Sequence, residues 1–258
     1  TSTPIPAALP GPRPACCSAP QVVGALMIIG GVLVLAGWAL RIPALTSLGL
    51  QGKPMVANSA LCFILSGAAL LLLKTRRPNL SRTALPCARA IGAFALLTLV
   101  EYASGLNLGI DELLVPDAYT QSGLPPGRMA PNSLLAFVLS AAALGLLSRP
   151  EWLGRRRLWI LGGLALAILM IGITSILGHL TGFGLFFEWW HLKPMSQPTA
   201  ILFILLGATL LGFSHENNGA RWLLGRLSTI GIAIGLAVLV TVATLTLQSN
   251  QKLQEAND

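Results

Sequence analysis

The sequence predicts an all-α integral membrane protein of seven transmembrane helices. They are arranged as three repeated helical hairpins in parallel orientation, a pseudo-threefold body, with one additional C-terminal helix. Three observations predict this. The first is composition: 54% of the 258 residues are hydrophobic and only 10% are charged, where a soluble domain carries about 25% charged residues. The second is a segment written three times. MVANSALCFILSGAALLLL starts at Met55, MAPNSLLAFVLSAAALGLL at Met129 and MSQPTAILFILLGATLLGF at Met195. Counting from each methionine, position +4 is a hydroxyl residue (Ser59, Ser133, Thr199), +8 a phenylalanine (Phe63, Phe137, Phe203) and +12 a small residue (Gly67, Ala141, Gly207). Steps of four follow one slowly slanting face of an α-helix, so each copy carries these residues as one stripe, the natural contact face between helices. The third is the placing of lysine and arginine, which alternates between connections.

Taken in order, residues 1–20 are rich in proline and read as a flexible cytoplasmic lead-in without a cleavable signal. Cys16 and Cys17 in it could carry a lipid, although free thiols are the simpler reading. The membrane domain covers 21–247, with repeats at about 22–74, 90–148 and 158–213. Seven apolar runs are long enough to span about 30 Å of hydrocarbon: 22–40, 56–73, 91–108, 130–147, 158–180, 199–213 and 228–247. In the last, Gly231 and Gly235 give a G-x-x-x-G spacing suited to close helix approach, through which two copies could pair as a homodimer. Residues 248–258 open an extracytoplasmic segment.

Orientation follows from the basic residues. Lys74, Arg76, Arg77, Arg82 and Arg89 lie between spans two and three, Arg149, Arg155, Arg156 and Arg157 between four and five, and Arg221 and Arg226 between six and seven. The alternate connections hold Arg41, Lys53, Arg128 and Lys193, with Asp111, Glu112, Asp117 and Glu188 among the acids. The N-terminus therefore belongs in the cytoplasm and the C-terminal tail outside. The formal charge of +8 is spent on these clusters, so nucleic acid is not an expected partner; the lipid bilayer is.

No catalytic constellation is evident. Glu101 is the one acid well within a span, His179 lies near a span's outer end, and His191 and His215 fall in loops. No local spacing makes a nucleophile pair, a metal site or a phosphate-binding loop. The expectation is a chain that is not itself an enzyme, with no cofactor indicated. What the sequence does assemble is a ring of semi-polar residues at the outer boundary. Asn58, Ser59, Asn132, Ser133 and Thr199 head the returning helices, and Trp38, Glu101, Tyr102 and His179 face them from the outgoing ones. Each has an ordinary reading: Trp38 and Tyr102 as interfacial anchors, the Asn, Ser and Thr residues as helix caps, His179 as a hydrogen-bonded packing residue. Glu101 is harder to absorb, because an ionisable group inside a span must face protein or a watery pocket. The amphipathic outer segments could cover a cavity open to a lipid or quinone-like ligand. Three methionine thioethers converging on a soft cation such as Cu(I) is a further chemical option.

The Met-x-x-Asn-Ser/Thr-Ala-Leu-x-Phe-x-Leu-x-Gly pattern, as in MVANSALCFILSG and MAPNSLLAFVLSA, resembles the multi-pass N-terminal membrane region of bacterial sensor histidine kinases and diguanylate cyclases, which implies a place in a bacterial inner membrane. The tail TLQSNQKLQEAND resembles the start of a CHASE-type extracellular domain. The third copy departs, with Pro198 where the others have Asn58 and Asn132. The resemblance implies a signal-transduction module that precedes a kinase or cyclase, as in two-component systems. Two other classes stay open: an accessory subunit of a photosynthetic or respiratory membrane complex, with His179 as pigment or haem ligand, and a transporter or channel.

Overall fold

A computed structural model describes residues 18–50, 52–75, 83–116, 126–149, 151, 153, 156–181 and 194–215, the side chain of His215 excepted. The fold is all-α. Helix α1 is Ala19–Leu40, α2 Pro43–Thr46, α3 Ala57–Leu73, α4 Ala84–Ser104, α5 Pro131–Ser148, α6 Arg156–Thr181 and α7 Gln197–His215. Five of them (α1, α4, α5, α6 and, to Ser214, α7) are long and apolar enough to cross a membrane; α3 is apolar but has 17 residues. The predicted span 228–247, with its glycine pair, lies outside the described residues.

Two sequence-based boundaries need correction. The third span, expected at 91–108, begins at Ala84 and ends at Ser104. Its start was masked by Arg89, and its end is set by Gly105, whose left-handed φ of 69° lets its N–H close back on the Glu101 carbonyl. His215, expected in a loop, is the last residue of α7. The short α2 was not anticipated: a proline at its N-terminus fixes the first turn directly after the left-handed Arg41 that ends α1.

Helices pack most extensively as α1 on α3, α4 on α5 and α6 on α7, then α3 on α4 and α5 on α6; α1 also meets α7. In lipid there is no hydrophobic drive between helices, so close approach of backbones carries the packing. The small residue at +12 serves that end in all three copies. A Cβ at Gly24 of α1 would stand 2.9 Å from the Gly67 carbonyl oxygen of α3, and one at Gly207 of α7 would stand 2.7 Å from Leu169 N of α6. Ala141 of α5 meets Gly92 of α4 in the same fashion, its methyl 3.2 Å from where a Cβ would sit.

The rest of the stripe is buried. Met55, Met129 and Met195, the hydroxyls of Ser59, Ser133 and Thr199, and the three phenylalanines are all 3% exposed or less. The rings of Phe63, Phe137 and Phe203 meet as a closed trio, with centroids 5.0, 4.9 and 4.8 Å apart and planes inclined by 59–62°. Such tilted pairs place ring edges against ring faces, worth about 0.5–1.5 kcal/mol each beyond area burial. Opposite the stripe, α1, α4 and α6 turn out Ile29, Val32, Leu96, Leu97, Val100, Leu166 and Met170, all exposed and apolar, as a lipid-facing surface requires. Helix α7 is apolar on every side and buried over 83% of its span.

Candidate functional site

The C-terminal ends of α1, α4 and α6 meet the N-terminal ends of α3, α5 and α7 at one end of the bundle, and the repeated methionines lie there. At each meeting a ring or phenol hydrogen bonds to the backbone carbonyl of the methionine. Trp38 Nε1–H donates to Met55 O at 2.8 Å, Tyr102 O–H to Met129 O at 3.0 Å, and His179 Nε2–H to Met195 O at 2.8 Å. A carbonyl can only accept, so the histidine's Nε2 carries the hydrogen. These carbonyls precede the helices and have no partner within them; the aromatic donors clasp the loop to the outgoing helix. Trp38 is therefore not an exposed interfacial anchor: it is 5% exposed, and Tyr102 is half-buried with its hydroxyl turned inward.

The asparagines likewise do not cap their helices. The N-caps of α3 and α5 are Val56 and Ala130, neither with a side-chain cap bond. Asn58, inside the first turn of α3, donates Nδ2–H to Ile110 O at 3.0 Å and Asp111 O at 2.8 Å, holding the loop that follows α4. Asn132 of α5 reaches Ser175 Oγ of α6 at 3.5 Å while its Oδ1 accepts from Ser133 N. In the third copy the carboxamide of Gln197 stands near Gly52, in the loop that follows α2. Thr199 is paired with Ser196, the two hydroxyls 2.8 Å apart, and Ser59 is 3% exposed. All nine predicted residues thus lie at one end of the bundle; Trp38, Tyr102 and His179 clasp within a helix pair, and Asn58 and Asn132 reach toward the next.

The middle clasp carries a buried ion cluster. Glu101, 0% exposed, accepts from Leu108 N–H through Oε1 at 2.7 Å and places Oε2 3.8 Å from Arg128 Nη2. Arg128 Nε donates to Asp111 Oδ2 at 2.6 Å, and its guanidinium lies 5.1 Å from the centroid of the Tyr102 ring. Gly127 makes this possible: its φ of 65° and its close approach to the Asp111 carbonyl leave no room for a Cβ, and they deliver Arg128 inward. Burial outweighs Arg128 and holds the Asp111 carboxyl above its usual range, with nearby Glu101 raising it further. Among the described residues, four buried side-chain oxygens accept no hydrogen bond: Asn58 Oδ1, Glu101 Oε2, Asp111 Oδ1 and Gln197 Oε1.

Asp111 and Arg128 were read from the sequence only as outer-loop charges. The signal was present, since a carboxylate in a span demands a partner and Arg128 is the residue before Met129. No group of three or more His, Cys, Asp or Glu side chains suited to a metal occurs among the described residues. The chain matches no protein-family model, no curated protein and no solved structure.

Proposed function

We propose that this chain is the membrane-embedded sensory module of a bacterial signalling protein, built as three like hairpins around a pseudo-threefold axis, with the methionine end facing outward. The observation that carries the reading is the contrast between a sealed waist and a polar end. The phenylalanine trio closes the bundle at mid-depth, while the asparagine hydrogen bonds that link one helix pair to the next, from Asn58 to the loop after α4 and from Asn132 to Ser175 of α6, lie at the methionine end. Repeated clasps, equal ring contacts and the reaches from Asn58 and Asn132 support the threefold arrangement. Basic residues at the other end, Lys74, Arg89, Arg149, Arg156 and Arg157 among them, support that end as cytoplasmic.

A small ligand or ion arriving at the methionine end would alter how neighbouring pairs are held, and the packed waist would pass a shift in helix position to the far side. A hydrophobic ligand entering from the outer leaflet is the matching guest. The transporter reading is disfavoured by the aromatic waist. The pigment-subunit reading is disfavoured because His179 spends Nε2–H on Met195 O.

The test joins residues 1–258, through one further transmembrane helix that returns the chain to the cytoplasm, to a reporter histidine kinase and measures phosphotransfer. Glu101→Gln and Tyr102→Phe should change output while the melting temperature of the purified protein stays within a few degrees. Unchanged output in both variants sinks the sensory reading. Ion flux through reconstituted liposomes, blocked by neither substitution, would return the transporter class to the front.

A further inference from the structure

The ionic clasp holds two carboxylates against one guanidinium, and this imbalance is where the structure says more. Counted as ions, Glu101, Asp111 and Arg128 sum to one net negative charge inside a protein surface with almost no water contact: 0%, 6% and 8% exposed. An uncompensated buried charge is expensive enough that a group neutralises instead. Each carboxylate has one satisfied and one unsatisfied oxygen. Glu101 uses Oε1 on Leu108 N–H and Asp111 uses Oδ2 on Arg128 Nε, which leaves Glu101 Oε2 and Asp111 Oδ1. The two carboxyls are both set against the one Arg128 guanidinium, Glu101 through Oε2 at 3.8 Å and Asp111 through Oδ2 at 2.6 Å, and Glu101 raises the Asp111 carboxyl. Two anions around a single cation set acceptor beside acceptor.

We propose that Glu101 and Asp111 form a proton-binding site, one proton being held between Glu101 Oε2 and Asp111 Oδ1 across the Arg128 guanidinium. A single proton taken from the solvent supplies the missing donor, satisfies both orphan oxygens and brings the cluster to zero net charge. The proton belongs to the pair rather than to either residue. The other groups facing the site do not provide an alternative. Tyr102 contributes its ring to Arg128 and spends its hydroxyl on Met129 O. Asn58, from α3, gives both Nδ2 hydrogens to the loop backbone. Glu112 is exposed. A metal cation is a poor occupant, since Arg128 already holds the positive position. The upward displacement of the Asp111 carboxyl agrees with the assignment. Because the loop 105–116 is held on Asn58 at one point and on this cluster at another, loss of the proton would set two like charges apart and loosen the loop. The proposal stands whether or not the module signals.

The experiment is infrared spectroscopy of residues 1–258 in nanodiscs as pH is varied. A protonated-carboxyl stretching band should be present at neutral pH and disappear only as pH is raised well beyond the ordinary carboxylate range near 4. Labelling aspartate or glutamate carboxyls with carbon-13 should shift it in the unmutated protein, which needs no variant to fold. Asp111→Asn and Glu101→Gln should each abolish the band while leaving the melting temperature nearly unchanged, because the amide offers an N–H where the proton stood. Absence of any protonated-carboxyl band at neutral pH, or a band that persists in both variants, overturns the proposal.

Discussion

The phenylalanine waist and the methionine end of this molecule are built from the same repeated stripe, yet they differ in how alike their three members are. At the waist the three ring contacts agree to within 0.2 Å in separation and a few degrees in inclination. At the methionine end the three clasps share an acceptor, a methionine carbonyl, and differ in the donor, an indole, a phenol and an imidazole, and the phenol lies beside a buried Glu, Asp and Arg. The difference teaches where sequence freedom lies. Close-packed rings leave no room for a departure that the other two do not match, whereas a hydrogen bond to a carbonyl can be made by any donor of suitable reach. The middle clasp used that freedom to bury a Glu, an Asp and an Arg.

The largest expected effect breaks the comparison at its charged member. Arg128→Met leaves two buried carboxylates without a counter-charge and should cost about 3–5 kcal/mol, read as loss of a cooperative melting transition in detergent. Arg128→Lys, which keeps the charge and loses the Nε contact, should recover part of it. Next comes the small residue of the stripe. Gly67→Leu or Gly207→Leu forces paired backbones apart, and overpacking of this kind costs about 1–3 kcal/mol; equal melting-point losses in the two would sharpen the likeness of the first and third pairs.

Phe63→Ala, Phe137→Ala and Phe203→Ala should each cost about 2 kcal/mol through the cavity left behind, less than in a soluble core because leaving lipid gains nothing. Three unequal values from thermal unfolding would break the equivalence of the waist. Trp38→Phe and Tyr102→Phe strip a clasp to a bare carbonyl, a loss of about 1 kcal/mol each.

The smallest effect is that of pH. Asp111 has a carboxyl held above its usual range in the folded protein, so the fold binds that proton more tightly than the unfolded chain does. Stability should therefore rise as pH falls through the folded value and level off below the unfolded one. The melting temperature from pH 7 to pH 4 should show this slope in the unmutated protein, and subtraction of the Asp111→Asn curve isolates it.

What the sequence determined by itself was the class and the contact face. Low charge and long apolar runs leave membrane helices as the available structure, and a stripe at steps of four marks the side that must be buried; Met, hydroxyl, Phe and small residue are local facts of spacing. It also placed the nine candidate residues at one end of the bundle, because all of them lie within a turn or two of where a span begins or ends. Their partners were decided only by tertiary structure. Nothing local says that Asn58 holds a loop 52 residues away rather than capping its own helix. Nor does it say that Arg128 turns inward at a left-handed glycine to meet Glu101 and Asp111. Those contacts join segments far apart in the chain, and which donor meets which acceptor depends on how the helix pairs are set side by side, a quantity that periodicity along a single helix does not contain.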